Sequence, residues 1–160
     1  MPTDPNTKKS VLRIIPYGLF VATSRSGEAI GAGTINWVTQ ASFEPPLIVA
    51  GIKVDSTLHE VISASRVFAL NLIGKAQKDV AVKFFKGAQP AGETLNGCRY
   101  ESGATGAPLL LDAPAWLECR VVDEVRRGDH TIFVGQVVEA GWRREEEPLT
   151  LREAGFSYGG

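Results

Sequence analysis

The segment 34-TINWVTQASFEPPLIVAGIK-53 combines a run of hydrogen-bonding residues with an apolar strand that follows it. Thr34, Asn36, Trp37, Thr39 and Gln40 stand close together in this segment. A strand that only builds a core holds few such groups, because each buried polar group needs a hydrogen-bonding partner. The spacing therefore raises the question of which polar ligand these side chains and amides meet.

A second group of candidate residues stands where an apolar strand meets a helix. Residues 47–52 form a continuous apolar run, typical of a strand that is buried on both faces. Thr57 and Glu60 have the spacing of a capping box, with Thr57 as the N-cap. The first amides of a helix are unpaired and the helix dipole is positive there, so Ser56, Thr57 and the nearby Lys53 could bind a phosphate group. The same residues could simply cap a helix beside a solvated lysine.

The motifs of self-contained catalysis are missing from the sequence. It has no GxSxG and no GxxxxGK[ST] segment. His59 and His130 stand far apart and have no third ligand at metal-binding spacing, so we expect no metal site. Gly31 and Gly33 lie in a predicted hairpin that no helix follows, which argues against a dinucleotide-binding motif. A domain of this kind commonly leaves the difficult chemistry to a bound cofactor.

Composition limits the classes of partner. The chain has 160 residues, 44% of them apolar, as expected for one globular domain with a core. Its 17 basic and 18 acidic residues leave a net charge of −1, so we expect neither nucleic acid nor a membrane surface as a partner. The first residues, MPTDPNTKKS, lack the apolar core of a signal peptide. Cys98 and Cys119 lack metal-ligand spacing, and we interpret them as free thiols of a cytoplasmic protein.

The elements that must position these residues are mostly short strands. We predict a disordered tail over residues 1–10 and one domain over residues 11–160. Residues 19–23 and 29–36 should form a hairpin, and the 86–107 segment is typical of a long loop. The predicted strands are 11–15, 19–23, 29–36, 47–52, 67–73, 114–125 and 131–140, with helices beginning at Thr57 and over 76–85. The pattern predicts a mainly β fold, an antiparallel barrel with inserted helices.

The order of motifs along the chain resembles that of a known family. These motifs are 18-GLFVATS, 34-TINWVTQASFEPPLIVAGIK, 55-DSTLHEVI, 67-VFALNLI, 83-KFF and 128-GDHTIFVGQVVEA. The order resembles the flavin reductase-like family, whose domain is an FMN-binding split β-barrel. TINWVTQASFEPP is also similar to the flavin reductase modules of flavodiiron proteins. The resemblance covers roughly residues 11–158.

The resemblance implies a set of site residues. The isoalloxazine ring and ribityl chain would lie beside residues 34–40, and His130 would act as the catalytic residue where a nicotinamide approaches. Four residues also fit ordinary packing or turn roles: Trp37 in the core, Asn71 as a partner for backbone groups, His130 in a turn and Tyr158 in a frayed terminus. The implied cofactor-binding residues are Thr34, Asn36, Trp37, Val38, Thr39, Lys53, Ser56, Thr57, Asn71, Lys83, Phe85 and Tyr158.

The resemblance also implies an activity and an assembly. The expected function is an NAD(P)H-dependent flavin reductase that binds FMN, with FAD possible, and uses NADH or NADPH as co-substrate. The reduced flavin would serve a downstream electron acceptor or a partner monooxygenase, and two chains would form a homodimer. The alternative is an FMN-binding electron-transfer module without nicotinamide reductase activity. A split barrel of the pyridoxamine-phosphate-oxidase-like branch is a third interpretation.

Overall fold

The computed structural model describes residue 2 and residues 4–160. Its helices and strands are α1 (Pro5–Arg13), β1 (Phe20–Ser26), β2 (Ala29–Ile35), β3 (Val38–Ser42), β4 (Leu47–Lys53), α2 (Thr57–Ser65), β5 (Val67–Leu72), α3 (Lys78–Lys83), β6 (Pro90–Ala91), β7 (Thr94–Leu95), β8 (Cys98–Ser102), β9 (Pro108–Leu110), β10 (Ala115–Arg126), β11 (His130–Trp142) and α4 (Leu151–Ala154).

The main sheet closes into a barrel that is split at one place. It has seven antiparallel strands in the order β2-β1-β5-β10-β11-β4-β3. The two edge strands, β2 and β3, are joined only by Asn36 and Trp37, so the two ends of the sheet must come together. They do not pair with each other, and the barrel is therefore open along this line. The mainly β split barrel predicted from the sequence is confirmed.

The barrel interior is filled by alternating side chains of the sheet and by one face of α2. Leu58 and Ile62 of α2 pack with Phe68, Leu70 and Phe133 from two strands. These side chains are almost fully inaccessible to solvent. Burial of large apolar side chains contributes roughly 1.5–3 kcal/mol each to stability. This core fixes α2, and with it the helix N-terminus, against the inner face of the barrel.

A second core joins the outside of β1 and β2 to α3 and to a small sheet. Val21 and Ala32 pack there with Ala81, Phe84 and Leu95. The small sheet has four strands in the order β6-β7-β8-β9. It occupies most of the segment that was predicted to be a long loop, and that prediction is wrong. Its strands are short and the segment is rich in Gly and Ala, which hides these strands in the sequence.

The N-terminal segment also differs from the sequence-based expectation. Residues 5–13 form α1 and not a disordered tail followed by a strand. The Asp4 carboxylate accepts a hydrogen bond from the Thr7 amide, and Pro5 occupies the first turn, where no amide donor is needed. α1 buries no side chain, so local capping is its visible support. Met1 and Thr3, part of the predicted tail, lie outside the described residues.

Two further details of the predicted elements are wrong in ways that concern the site. β4 alternates between buried and half-buried residues, so only one of its faces lies in the core. The N-cap of α2 is Ser56 and not Thr57.

None of the helices in residues 4–160 combines the length and apolar character that crossing a membrane requires.

Candidate functional site

The split in the barrel opens into a cavity of about 480 Å³, which we call the split cavity. This volume lies in the range of roughly 300–1,000 Å³ that is usual for small-molecule sites. β2, the end of β4, the start of α2 and the segment after α3 form its walls. The predicted cofactor-binding residues that line it are Thr34, Asn36, Trp37, Lys53, Ser56, Thr57, Phe85 and Tyr158.

The β2–β3 connection is held in place by hydrogen bonds to neighbouring segments. The Thr34 hydroxyl donates to the Ala81 carbonyl at 2.5 Å, and the Thr34 amide donates to the Phe84 carbonyl at 3.2 Å. Asn36 is 5% exposed, and its amide nitrogen lies 3.5 Å from the Tyr158 carbonyl. The free edge of β2 is thereby covered by the end of α3 and the residue that follows it. Polar groups at this end of the cavity are uncharged and fixed in direction.

Trp37 separates the split cavity from a second cavity of about 680 Å³, which we call the His130 cavity. Its ring centroid lies 4.5 Å from that of His130 and 5.0 Å from that of Tyr158. The indole nitrogen of Trp37 is buried and has no hydrogen-bonding partner among the described residues. A buried donor without a partner is costly, so this nitrogen is suited to an acceptor supplied by a ligand. Val38 and Thr39 line the His130 cavity and not the split cavity.

His130 is held between an acid and a phenol. Its Nδ1 lies 2.8 Å from Oδ1 of Asp129, and its Nε2 lies 2.6 Å from the Tyr158 hydroxyl. The hydrogen bond to His130, followed by the charge of that histidine, lowers the pKa of Asp129. Burial raises the pKa of Tyr158, and the negative charges of Asp129 and Asp55 raise it further. Tyr158 therefore remains a neutral hydroxyl that can donate to or accept from the imidazole.

The other end of the split cavity is the N-terminus of α2. The Ser56 hydroxyl accepts from the His59 amide at 3.1 Å and donates to the Lys53 carbonyl at 2.7 Å. Ser56 is thus occupied as a cap, while the amides of Thr57 and Leu58 donate to no protein atom among residues 4–160. The side chain of Thr57 is exposed. These free donors and the positive end of the helix dipole favour an anion.

A positive charge and a close backbone contact complete this end. The amino group of Lys53 lies 3.7 Å from the Asp55 carboxylate, and both side chains are largely solvated. A Cβ atom on Gly31 would lie 2.8 Å from the Leu58 Cα, so glycine permits β2 to approach α2 this closely. The cavity therefore offers uncharged donors and acceptors at one end and an anion site at the other. This combination fits the ring and the phosphate of FMN.

Two of the predicted residues line neither the split cavity nor the His130 cavity. Asn71 is fully buried in β5 and is not part of the cavity wall. Its side chain donates to the Val21 carbonyl at 3.1 Å and accepts from the Leu110 amide at 2.8 Å, so it joins the barrel to β9. Lys83 lines a separate cavity next to β6 and β7. The role of Asn71 as a partner for backbone groups, left open by the sequence, is the one that its contacts favour.

The structure adds residues that the sequence did not single out as ligands. Lys86 and Gly87 line the split cavity, and Leu58 contributes a free amide. Lys86 follows the KFF segment directly, which is the signal that could have identified it.

Residues 2 and 4–160 contain no cluster of three or more His, Cys, Asp or Glu side chains that could hold a metal ion.

Comparisons with known proteins agree with the fold. The family described as "Flavin reductase like domain" matches residues 12–160. The chain is 32% identical over 135 residues to the diflavin flavoprotein A 1 of Synechocystis sp., a match that covers 84% of the chain and 23% of that protein. It is 32% identical over 144 residues to the NADH-dependent FAD reductase of Streptomyces globisporus, covering 86% of the chain and 78% of that protein.

A solved structure of a flavin reductase has the same fold as this chain. The flavin reductase of the styrene monooxygenase from Pseudomonas putida S12 superposes with a TM-score of 0.77 at 28% identity, covering 97% of each chain. Several curated relatives are much longer than this chain. It spans 23% of the Synechocystis protein, and 57% and 42% of two related proteins of Rhizobium meliloti.

Proposed function

The chain belongs to the flavin reductase-like domain family, and from this premise we propose that it is an NAD(P)H-dependent flavin reductase. A bound flavin supplies the redox chemistry, because it can accept a hydride from a nicotinamide and pass electrons on. The observation that carries the proposal is the split cavity, with uncharged donors at one end and the α2 N-terminus at the other. The protein residues bind, orient and shield the reactants.

The residues of the β2–β3 connection hold the ring end. An isoalloxazine edge presents alternating donors and acceptors, which backbone groups and the Asn36 amide can meet without charge. The Trp37 indole nitrogen offers a further donor. Amides near the pyrimidine part of the ring also stabilise negative charge there. The Phe85 and Tyr158 rings line the same cavity and limit the access of water.

The phosphate end is held by backbone amides more than by side chains. Thr57 and Leu58 supply free amide donors, and the Thr57 hydroxyl adds a third. Lys53 supplies the positive charge, while Ser56 acts through the helix that it caps. Charge-assisted hydrogen bonds of this kind are shorter and stronger than neutral ones. FMN should consequently bind more tightly than riboflavin.

His130 orients the nicotinamide. His130 lies beside Trp37 in the wall of the His130 cavity. Asp129 holds one nitrogen of its ring and Tyr158 holds the other. Hydride transfer needs no general acid or base, so the role of His130 is to place the nicotinamide at reacting distance. Val38 and Thr39 would form the wall on which the nicotinamide arrives.

Assembly and partners extend the proposal. We propose that two chains form a homodimer, which is the commonest assembly, and that the reduced flavin serves a partner oxygenase or another acceptor. The styrene monooxygenase reductase, which has such a partner by name, supports this. Exposed apolar residues of β10 and β11, namely Val122, Val125, Ile132, Val138 and Trp142, support a contact with another chain. The two free cysteines support a cytoplasmic location.

One experiment tests the activity. The purified protein is loaded with FMN under anaerobic conditions, and NADH or NADPH is added while the visible flavin absorption is followed. Loss of that absorption at a rate above that of free FMN supports the reductase. Retention of the absorption with tightly bound FMN would favour the electron-transfer module without nicotinamide reductase activity. The flavin released from the protein as purified identifies the natural cofactor.

A further inference from the structure

The segment that follows α4 forms one side of the split cavity. Residues 156–160 belong to no helix or strand, and we call them the strap. Tyr158 of the strap lines the split cavity and also a neighbouring cavity of about 470 Å³. Asn36 and Phe85 line both cavities as well. The strap is therefore part of the wall between the two cavities, at the ring end of the split cavity.

The strap is anchored at its first residue. The Phe156 amide donates to the Leu151 carbonyl at 3.3 Å. The Phe156 ring packs against the second core and meets the Phe85 ring edge to face, with centroids 4.9 Å apart. The amino group of Lys78 lies 5.1 Å from the centroid of the Phe156 ring, within the range of a cation–π contact. This anchor fixes where the strap begins, so a movement of residues 157–160 leaves the second core intact.

Residues 157–160 are held by few contacts. None of their backbone amides donates to a protein atom among residues 4–160. Tyr158 is 42% exposed, and its carbonyl lies 3.5 Å from the Asn36 amide nitrogen, a long distance for a hydrogen bond. Segments with exposed side chains and few backbone hydrogen bonds open at a low cost in free energy. The strap has both of these features.

The other walls of the split cavity are held more strongly. β2 and β4 pair along their full length with β1 and β11, and α2 packs into the barrel core through Leu58 and Ile62. The segment after α3 is fixed by Asn96, whose side chain donates to the carbonyls of Lys83 and Gly87 at 2.7 Å each. A flavin that enters or leaves at the ring end therefore meets the strap as the movable part of the wall.

α1 provides the contact that holds the far end of the strap. Nε of Arg13 donates to the Gly159 carbonyl at 3.2 Å. A Cβ atom on Gly160 would lie 2.5 Å from Cγ of Lys9, so the end of the strap lies directly against α1. Gly159 and Gly160 have φ values of 136° and 94°, which favour glycine. Arg13 is not part of the split-cavity wall, so it acts on the strap and not on a ligand.

We propose that the strap is a gate through which the flavin enters and leaves the split cavity, and that Arg13 sets how often the gate opens. The inference rests on the proposed reductase function and describes how its flavin exchanges. Residues 157–160 move away from Trp37, whose ring centroid lies 5.0 Å from that of Tyr158, while Phe156 stays in place. Flavin passes only while the gate is open, so its association and dissociation rates both follow the open fraction. The equilibrium affinity is unchanged, because the two rates change by the same factor.

The exchange rates of FMN test the gate. FMN is mixed by stopped flow with an excess of flavin-free protein at several protein concentrations, and flavin fluorescence is followed. The slope of the observed rate against protein concentration gives the association rate constant, and the intercept gives the dissociation rate constant. Arg13→Ala should raise both by roughly 3- to 10-fold, the factor that one net hydrogen bond represents, and leave the dissociation constant at the wild-type value. Arg13→Lys keeps a charged donor and should restore most of the wild-type behaviour.

Two further variants separate the contact from the charge. Lys8→Ala removes a positive charge from the same helix, and Lys8 forms no ion pair among residues 4–160, so both rates should stay at their wild-type values. Gly160→Ala keeps the charge and places a Cβ atom against Lys9, so it should push the strap from α1 and raise both rates. Because α1 buries no side chain, urea unfolding curves of these variants should match that of the wild type.

The outcomes separate the gate from the proposed function. Unchanged rates in Arg13→Ala or in Gly160→Ala would overturn the gate and leave the reductase proposal standing. Faster dissociation with an unchanged association rate would also overturn it, because the strap would then be an ordinary contact of the bound flavin. Equal acceleration in Lys8→Ala would assign the effect to the charge of α1 and overturn the role of Arg13. Failure of wild-type protein to bind FMN would overturn both proposals, whereas accelerated exchange without reduction by NADH or NADPH would overturn only the reductase.

Discussion

The hydroxyl of Tyr158 lies 2.6 Å from Nε2 of His130, although 28 positions separate the two residues in the chain. This contact joins the C-terminal segment to the first residue of β11. The same segment is held by Asn36 through the Tyr158 carbonyl and by Arg13 through the Gly159 carbonyl. The C-terminal segment is thus part of the wall at the ring end of the split cavity.

His130→Ala should slow hydride transfer and leave FMN binding nearly intact. The imidazole contacts Trp37 and Tyr158 at the cavity wall, and its loss leaves the nicotinamide poorly placed. A misplacement of about 1 Å can lower a rate on the order of a hundredfold. Stopped-flow loss of flavin absorption, normalised to bound FMN, measures the effect.

Tyr158→Phe is the matched variant for this prediction. It removes the hydroxyl that contacts His130 and keeps the ring that packs on Trp37. The rate should fall less than in His130→Ala, because Asp129 still holds the other nitrogen. Unchanged rates in His130→Ala, at both low and saturating nicotinamide, would remove His130 from the site and leave it as a turn residue.

Thr57→Ala should weaken FMN more than riboflavin. The hydroxyl stands beside the free amides of the α2 N-terminus, and only FMN carries the phosphate that these groups would meet. Loss of one charge-assisted hydrogen bond costs about 1.5–3 kcal/mol, or roughly 10- to 150-fold in affinity. Fluorescence titration with both ligands measures it, and an equal loss for the two would contradict the phosphate assignment.

Ser56→Ala is predicted to act mainly on stability. Its hydroxyl caps α2 through the His59 amide, and removal of such a cap costs about 0.5–2 kcal/mol. Urea denaturation of the flavin-free protein should show this loss. Ser56→Thr keeps an N-cap hydroxyl and should restore most of it. A Ser56→Ala protein of full stability with weakened FMN binding would instead make the serine a direct ligand.

Asn71→Ala should destabilise the fold and leave the flavin site unchanged. The side chain is fully buried and bonds the Val21 carbonyl and the Leu110 amide, so its removal leaves both groups without this partner. An unsatisfied buried polar group costs about 1–3 kcal/mol. Denaturant unfolding measures the loss, and FMN affinity of the folded fraction is the control. A selective loss of FMN affinity at full stability would restore Asn71 to the site.

Stability should fall as the pH drops below about 6.5, partly because of His59. Burial lowers the pKa of this histidine below its ordinary value of 6.5, and the charge of Arg126 lowers it further. In that range the unfolded chain takes up a proton that folded His59 does not, so the free energy of unfolding decreases with falling pH. The contribution of His59 to the free energy of unfolding is fully present above pH 6.5. It is lost progressively as the pH falls from 6.5 to the lowered pKa of the folded-state histidine.

The size of this effect is limited by the single proton involved. Through His59, the free energy of unfolding changes by at most about 1.4 kcal/mol per pH unit. His59→Gln, which can still bond the Thr131 hydroxyl, should flatten the dependence just below the ordinary histidine pKa. Unfolding curves of both proteins across this range measure the difference. Identical slopes would show that His59 is protonated equally in both states.

The sequence predicted the parts of this protein that depend on local pattern. The short apolar-rich segments of β1 and β2, the turn at Gly27 and the apolar stripe of α2 all indicated their elements correctly. The position of α2 after β4 was enough to locate the candidate anion site. The cap itself was assigned one residue too late, because Ser56 and Thr57 have similar capping chemistry.

What the sequence could not supply depends on long-range contacts. Asn71 stands in an apolar strand. Only the folded position of Leu110 shows that the Asn71 side chain forms a hydrogen bond with a backbone amide. The contact between Trp37, His130 and Tyr158 requires barrel closure and the path of the C-terminal segment. The small sheet escaped prediction because two of its strands have only two residues each.

The covalent link between the two edge strands has a consequence for how such a site can change. Asn36 and Trp37 close the barrel by connecting β2 to β3, and no strand pairing crosses the split within residues 4–160. Residues could be inserted at this link without shifting the register of any pair in the sheet. Because Asn36 is 5% exposed and Trp37 packs on His130 and Tyr158, such an insertion would act first on the contacts at the ring end of the split cavity. The shape of the binding site can therefore change while the strand pairing of the barrel that carries it stays the same.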